Sequence, residues 1–164
     1  MKTPYLVAAC LLLPLTAQAD KLVIPANAPP GFATECGACH LAFPPALLDA
    51  RGWRQVMTQL DNHYGDNAGL DDKTRQAIET FLVRNAGGDK VSGAPLAKGE
   101  PPRLTATPWF KRKHHEVPVK VWQDPKVKRP ANCATCHTRA AAGSYREREI
   151  VMPDGRRWEE KEDD

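Results

Sequence analysis

Apolar positions along the chain fall into three regimes. Residues 5–15 form an almost unbroken apolar run. Further on, Trp53, Val56, Met57 and Leu60 recur at i, i+3, i+4 and i+7, which predicts an amphipathic helix over residues 46–60. A second stripe of Ile78, Phe81 and Leu82, with Leu70 ahead of it and Gly87-Gly88 behind, predicts a helix over residues 71–85. The segment Asp61-Asn62-His63-Tyr64-Gly65-Asp66-Asn67 is polar and reads as the loop joining the two. Beyond residue 103 the periodicity thins. Pro108 is placed to start a helix at Trp109, over which Phe110, His114 and Val117 fall on one stripe, and Ile150-Val151-Met152 is a short extended run before the turn residues Asp154-Gly155. The expected fold is mostly α.

The punctuation divides the chain. Lys2, the apolar run and Ala17-Gln18-Ala19 together match a secretory signal peptide over residues 1–19, so the mature chain is expected to begin at Asp20. Val7-Ala8-Ala9-Cys10 offers a lipoprotein processing site as an alternative, but the apolar run continues past the cysteine. Residues 91–103, with Gly93, Pro95, Gly99, Pro101 and Pro102, read as a linker between a unit at 20–90 and a second at 104–155. Residues 156–164 are nearly all charged apart from Trp158 and are expected to fray.

Composition changes this picture in one respect. With 15 prolines and 7% aromatic residues in 164, there is little material for two side-chain cores. A cofactor is the natural filler. After signal removal no apolar run is long enough to span a bilayer, and mean hydropathy is −0.52. The mature chain would carry 22 basic and 20 acidic residues, a balance that argues against nucleic acid. Basic residues are concentrated, however, at 103–129, where eight face two acidic ones. Such a stretch can steer an acidic partner, offset the acidic groups of a bound cofactor, or simply be solvated.

Four cysteines remain once Cys10 is removed with the signal, and they lie in Cys36-Gly37-Ala38-Cys39-His40 and Cys133-Ala134-Thr135-Cys136-His137. Two Cys-x-x-Cys-His motifs are the attachment signature of two covalent haem c groups: each pair of thiols meets the two vinyl groups of one porphyrin while the histidine binds its iron. In a helical turn this spacing would place thiols and imidazole on one face. Disulfides, a four-cysteine zinc site or a thioredoxin-type pair would leave the histidine after each pair unexplained. Cys36, Cys39, Cys133 and Cys136 are thus the expected attachment points, and His40 and His137 the proximal ligands.

For the sixth position at the first iron, His63 is the expected ligand, since Met57 belongs to a packed stripe. At the second, helical periodicity favours His114 over His115, which shares the polar face of Lys111 and Arg112; Met152 is a further candidate.

The chain resembles the bacterial periplasmic dihaem cytochromes c that donate electrons to a small oxygen-binding c-type haem protein. Besides the two haem motifs, the resemblance rests on Phe43-Pro44-Pro45-Ala46-Leu47-Leu48, Arg51-Gly52-Trp53-Arg54, His63-Tyr64-Gly65-Asp66-Asn67, Arg103-Leu104-Thr105, Pro108-Trp109-Phe110 and Ala131-Asn132. It implies a class I cytochrome c-like N-terminal haem domain, a smaller and irregular C-terminal haem domain, and two histidines on each iron. It further implies a periplasmic relay, not an enzyme, carrying electrons from a membrane b-type cytochrome to the small haem protein. The adjacent pair His114-His115 and the acidic tail after Trp158 depart from the family pattern. Two other functions remain open at this level: the dihaem electron-transfer subunit of a periplasmic reductase, and a haem enzyme or gas sensor with one open coordination site.

Overall fold

The computed structural model describes residues 22–91 and 101–159, so the signal peptide and Asp20, residues 92–100 of the expected linker and the last five residues of the tail lie outside the described residues. The described chain is mostly helical, with isolated bridges and no β-strand.

Three helices build the first unit. Helix α1 (Pro30–Cys36) begins with proline at its first turn, where the missing N–H costs nothing. Helix α2 (Ala50–Met57) starts four residues later than the apolar pattern suggests. Pro45–Leu47 form a separate 3-10 turn, Leu48 is extended, and Asp49 then caps α2 by accepting a 2.6 Å hydrogen bond from the Gly52 amide. Helix α3 (Asp72–Arg84) is capped by Asp71, which accepts from the Thr74 amide at 3.0 Å.

The expected stripes face inward. Trp53, Val56 and Met57 of α2 pack with Ile78, Phe81 and Leu82 of α3 and with Phe32 of α1, whose ring meets Phe81 edge-on at 5.0 Å. Met57 is 2% exposed and belongs to this core. Trp53 Nε1 donates to Pro45 O at 2.6 Å, and the Gly87 amide donates to Leu48 O at 2.8 Å, tying the end of α3 to the 3-10 turn. A β-carbon at Gly87 would collide with Ala46 O, so only glycine permits this approach.

The second unit is built differently. Helices α4 (Pro108–Lys113) and α5 (Val119–Trp122) are short, and 3-10 turns at Cys133–Thr135, Ala140–Ala142 and Glu147–Glu149 carry much of the remainder. Thr107, fully buried, accepts from the Phe110 amide and donates to Leu104 O, so one hydroxyl caps α4 and closes the turn before it. Near the C-terminus the chain folds back: the Trp158 amide donates to Ile150 O, Met152 to Arg156 O and Val151 to Cys136 O, while Lys126 Nζ donates to Pro153 O at 2.7 Å. Residues 156–158, expected to fray, are therefore paired against residues 150–152, which in turn pair with Cys136 and His137 of the second motif.

The two units touch at several points. Val91, Pro101 and Pro102, at the ends of the expected linker, are buried, and Leu104 packs on the first core. The 3-10 turn Asp89–Val91 packs against α4. Leu22 and Val23 reach across to Gly143, whose φ of +70° and distance of 3.0 Å from a β-carbon there to Val23 Cα leave room for glycine alone.

Candidate haem sites

In the first motif only Cys36 is helical. Helix α1 ends there with Gly37 as its cap, and Cys39 and His40 follow on an exposed bend, contrary to the expectation of a continuous helical turn. The second motif does wind: the His137 amide donates to Cys133 O at 2.8 Å, an i to i+4 bond. No disulfide joins any of the four cysteines. Burial pushes the Cys36 and Cys133 thiols up to about 11 and also raises Cys136. Among the described residues no three Cys, His, Asp or Glu side chains converge as a metal-holding group, so a four-cysteine zinc site is not assembled.

The histidines come together in two pairs. His40 faces His63 with ring centres 6.3 Å apart and planes inclined by 23°. His137 faces His114 at 6.1 Å, with planes inclined by 82°. Two imidazoles bound to one metal ion at about 2 Å each have ring centres about 6 Å apart, so both separations suit a shared iron. The nitrogens agree with this. His40 Nδ1 lies 2.8 Å from Leu41 O and His114 Nδ1 lies 2.8 Å from Phe110 O; a carbonyl only accepts, so in each ring Nδ1 is the donor and Nε2 is left free to bind metal.

Burial, with neighbouring positive charge at His63, favours the neutral form of His63, His137 and His114. Burial lowers His63, with His40 and Arg103 adding to the effect against Asp66. Burial and then His114 bring His137 down to about 4, and burial lowers His114 against the opposing hydrogen bond to Phe110. A neutral imidazole is the form that binds a metal. The Nδ1 atoms of His63 and His137 are buried without a hydrogen-bond partner.

Aromatic rings wall both sites. Phe43 stacks on His40 at 4.7 Å. Phe110 stacks on His114 at 4.0 Å, and Trp122 lies 5.8 Å from the same imidazole. Beside them opens a cavity of about 240 Å³ lined by Thr105, Phe110, Lys111, His114, Trp122 and Pro130. His114 sits at the C-cap of α4, half-buried, whereas His115 is exposed, with Nδ1 on Arg112 O and Nε2 toward Glu116. Met152 is held in the C-terminal fold-back by its backbone. Sequence reasoning did not single out Phe43, Tyr64 and Tyr145 as ring neighbours of these imidazoles, although Phe43 is three positions from His40 and Tyr64 is adjacent to His63; the left-handed turn at Tyr64-Gly65 had its signal in Gly65 alone.

A helical, c-type haem protein of the electron-transfer class is what this fold and these paired sites define. The family model for dihaem cytochrome c matches residues 32–145, and the chain belongs to that family. It is similar to a dihaem cytochrome c from Shewanella baltica OS155, at 37% identity and a TM-score of 0.69, over 83% of this chain and all of that one. It is likewise similar to the dihaem cytochrome c purified from Rhodobacter sphaeroides, at 41% identity and a TM-score of 0.61, over 75% of this chain and all of that one. No curated protein matches the chain. The protein accordingly carries two c-type haems, and its role is electron transfer. Among the described residues no helix is long and apolar enough to cross a membrane.

Proposed function

We propose that Cys36 and Cys39 would attach the first haem and Cys133 and Cys136 the second, and that His40 with His63 would hold one iron and His137 with His114 the other. The observation that carries this reading is the facing of two imidazole pairs at 6.3 and 6.1 Å. Each haem supplies an iron that exchanges one electron between ferric and ferrous states. The chain's part is to close both faces of each iron with neutral imidazoles, to fix His40 and His114 through their Nδ1 donors, and to wall the sites with Phe43, Phe110 and Trp122. With two imidazoles on each iron no position would be left for a substrate, so no chemistry on small molecules is expected. The two haem units correspond to residues 20–90 and 104–155.

The proposal extends to the partners. The chain is an exported, periplasmic relay that takes electrons from a membrane b-type cytochrome and reduces a small c-type haem protein. Lys111, Arg112, Lys113, Lys120, Lys128 and Arg129 are exposed around the second site, a positive face suited to an acidic partner. Redox titration followed by electron paramagnetic resonance tests the ligand sets: two low-spin ferric signals at low potential are expected, because methionine ligation would raise the potential. A near-infrared methionine-to-iron band would refute them. Stopped-flow reduction of a small acidic c-type haem protein should slow as ionic strength rises, and a rate indifferent to salt would remove the role given to the basic face.

A further inference from the structure

Of the four imidazoles, His63 and His137 lack a hydrogen bond at Nδ1, and at the first site His63 is the one without an anchor of its own. Its backbone pairs with Asp66, at 2.7 Å from the His63 amide and 3.2 Å in return, which fixes the turn but not the ring. Its Nδ1 is buried and makes no hydrogen bond, whereas His40 and His114 are each tied through Nδ1 to a carbonyl. What bears on the His63 ring is its neighbour. Tyr64 meets it edge-on at 4.7 Å.

Tyr64 has a φ of +56°, in the left-handed region that a bulky residue enters only when its surroundings hold it there. The surroundings are distant in sequence. The Tyr64 hydroxyl donates to Pro102 O at 2.8 Å, 38 positions away, and the Arg103 guanidinium lies 4.4 Å from the centre of the ring. Pro102 is itself fully buried and stands against Gly52 of α2, where a β-carbon would lie 3.4 Å from Pro102 Cγ. The acceptor is thus fixed on the first core.

We propose that Tyr64 is the positioning residue of the first haem: its hydrogen bond to Pro102 and its place under Arg103 hold the left-handed turn in the one arrangement that faces His63 toward His40. The inference rests on the reading of His40 and His63 as an axial pair. Without the hydroxyl the turn can relax toward ordinary backbone geometry, and the His63 ring, lacking an Nδ1 anchor, swings away from its partner more often.

Carbon monoxide reports this, because it binds a reduced iron only while the sixth position is open. The haem-loaded, full-length protein is to be compared with three variants by stopped-flow carbon monoxide binding and by electron paramagnetic resonance of the oxidised form. His63→Ala should open the first haem permanently, giving a high-spin signal and rapid binding. Tyr64→Phe keeps the ring and loses only the hydroxyl, and should admit carbon monoxide about tenfold faster than the parent, the scale of one hydrogen bond. Tyr64→Asn tolerates the left-handed backbone and removes both contacts, and should be faster still. If His63→Ala opens the haem while both Tyr64 variants bind at the parental rate, the positioning role is overturned and the axial pair stands, even if their thermal stability falls. If His63→Ala leaves the protein low-spin and closed, the axial pair itself is wrong and the inference goes with it.

Discussion

Around His40 and His63, three helices bury Phe32, Trp53, Ile78, Phe81 and Leu82 against one another; around His137 and His114, the described chain buries little more than Phe110, Val127 and Ala140. One unit has a side-chain core of its own. The other has turns whose short-range hydrogen bonds fix the backbone but whose apolar surface is too small to close by itself. The difference explains why the first unit was easy to anticipate from periodicity and the second was not. A helix that packs on helices must repeat its apolar face; a chain that wraps a prosthetic group need only bring the correct residues to it.

The largest expected effect separates the two directly. Removing both thiols of the second motif, with Cys133→Ala and Cys136→Ala together, should leave residues 104–158 without fixed structure, while Cys36→Ala with Cys39→Ala should leave α2 and α3 helical. Hydrogen exchange resolved by segment checks both, and protected amides persisting across 104–158 in the first variant would show that the second unit folds without its haem. Next comes His114→Ala, expected to turn only the second haem high-spin and open to carbon monoxide, whereas His115→Ala should leave the absorption spectrum unchanged. The opposite result would move the ligand to the exposed neighbour.

Smaller effects concern stability. Phe81→Ala should cost about 3–5 kcal/mol in denaturant titration, because its ring is 5% exposed and packs on Phe32. The two helix caps sharpen the contrast: Thr107→Ala, at a fully buried cap, should cost about 2 kcal/mol, and Asp49→Ala, at a partly buried one, about 1 kcal/mol. Equal losses at the two caps would mean that burial adds nothing to capping in this chain.

Much of the first unit was legible because it obeys local rules. The stripe of α2, the span of α3 to within one residue at each end and the place of Met57 in the core all follow from spacing and end signals. The proline at the start of α4 marked that helix as well. Three things were not legible. Leu48 adopts an extended conformation inside an otherwise helical pattern, which splits the expected helix, and nothing in the local sequence forbids helix there. Trp158 lies in a strongly charged run, and only its meeting with Ile150 shows that the run is folded as far as that residue. Tyr64 depends on the Pro102 carbonyl, inside the segment read as a linker. Each is decided by a contact distant in sequence, to which periodicity is blind.

The contact of Leu22 and Val23 with Gly143 brings together opposite ends of the described chain. It closes a long loop, and such a loop has a schedule. Leu22 and Val23 cannot reach their final place until Gly143 has been made, so this seam is a late event of folding. Loop closure of that length is slow but adds little to its thermodynamic cost, since the entropy grows only with the logarithm of the span. The N-terminal segment therefore waits unpaired while both haem motifs emerge, and closes over the second unit once that unit has something to be closed upon.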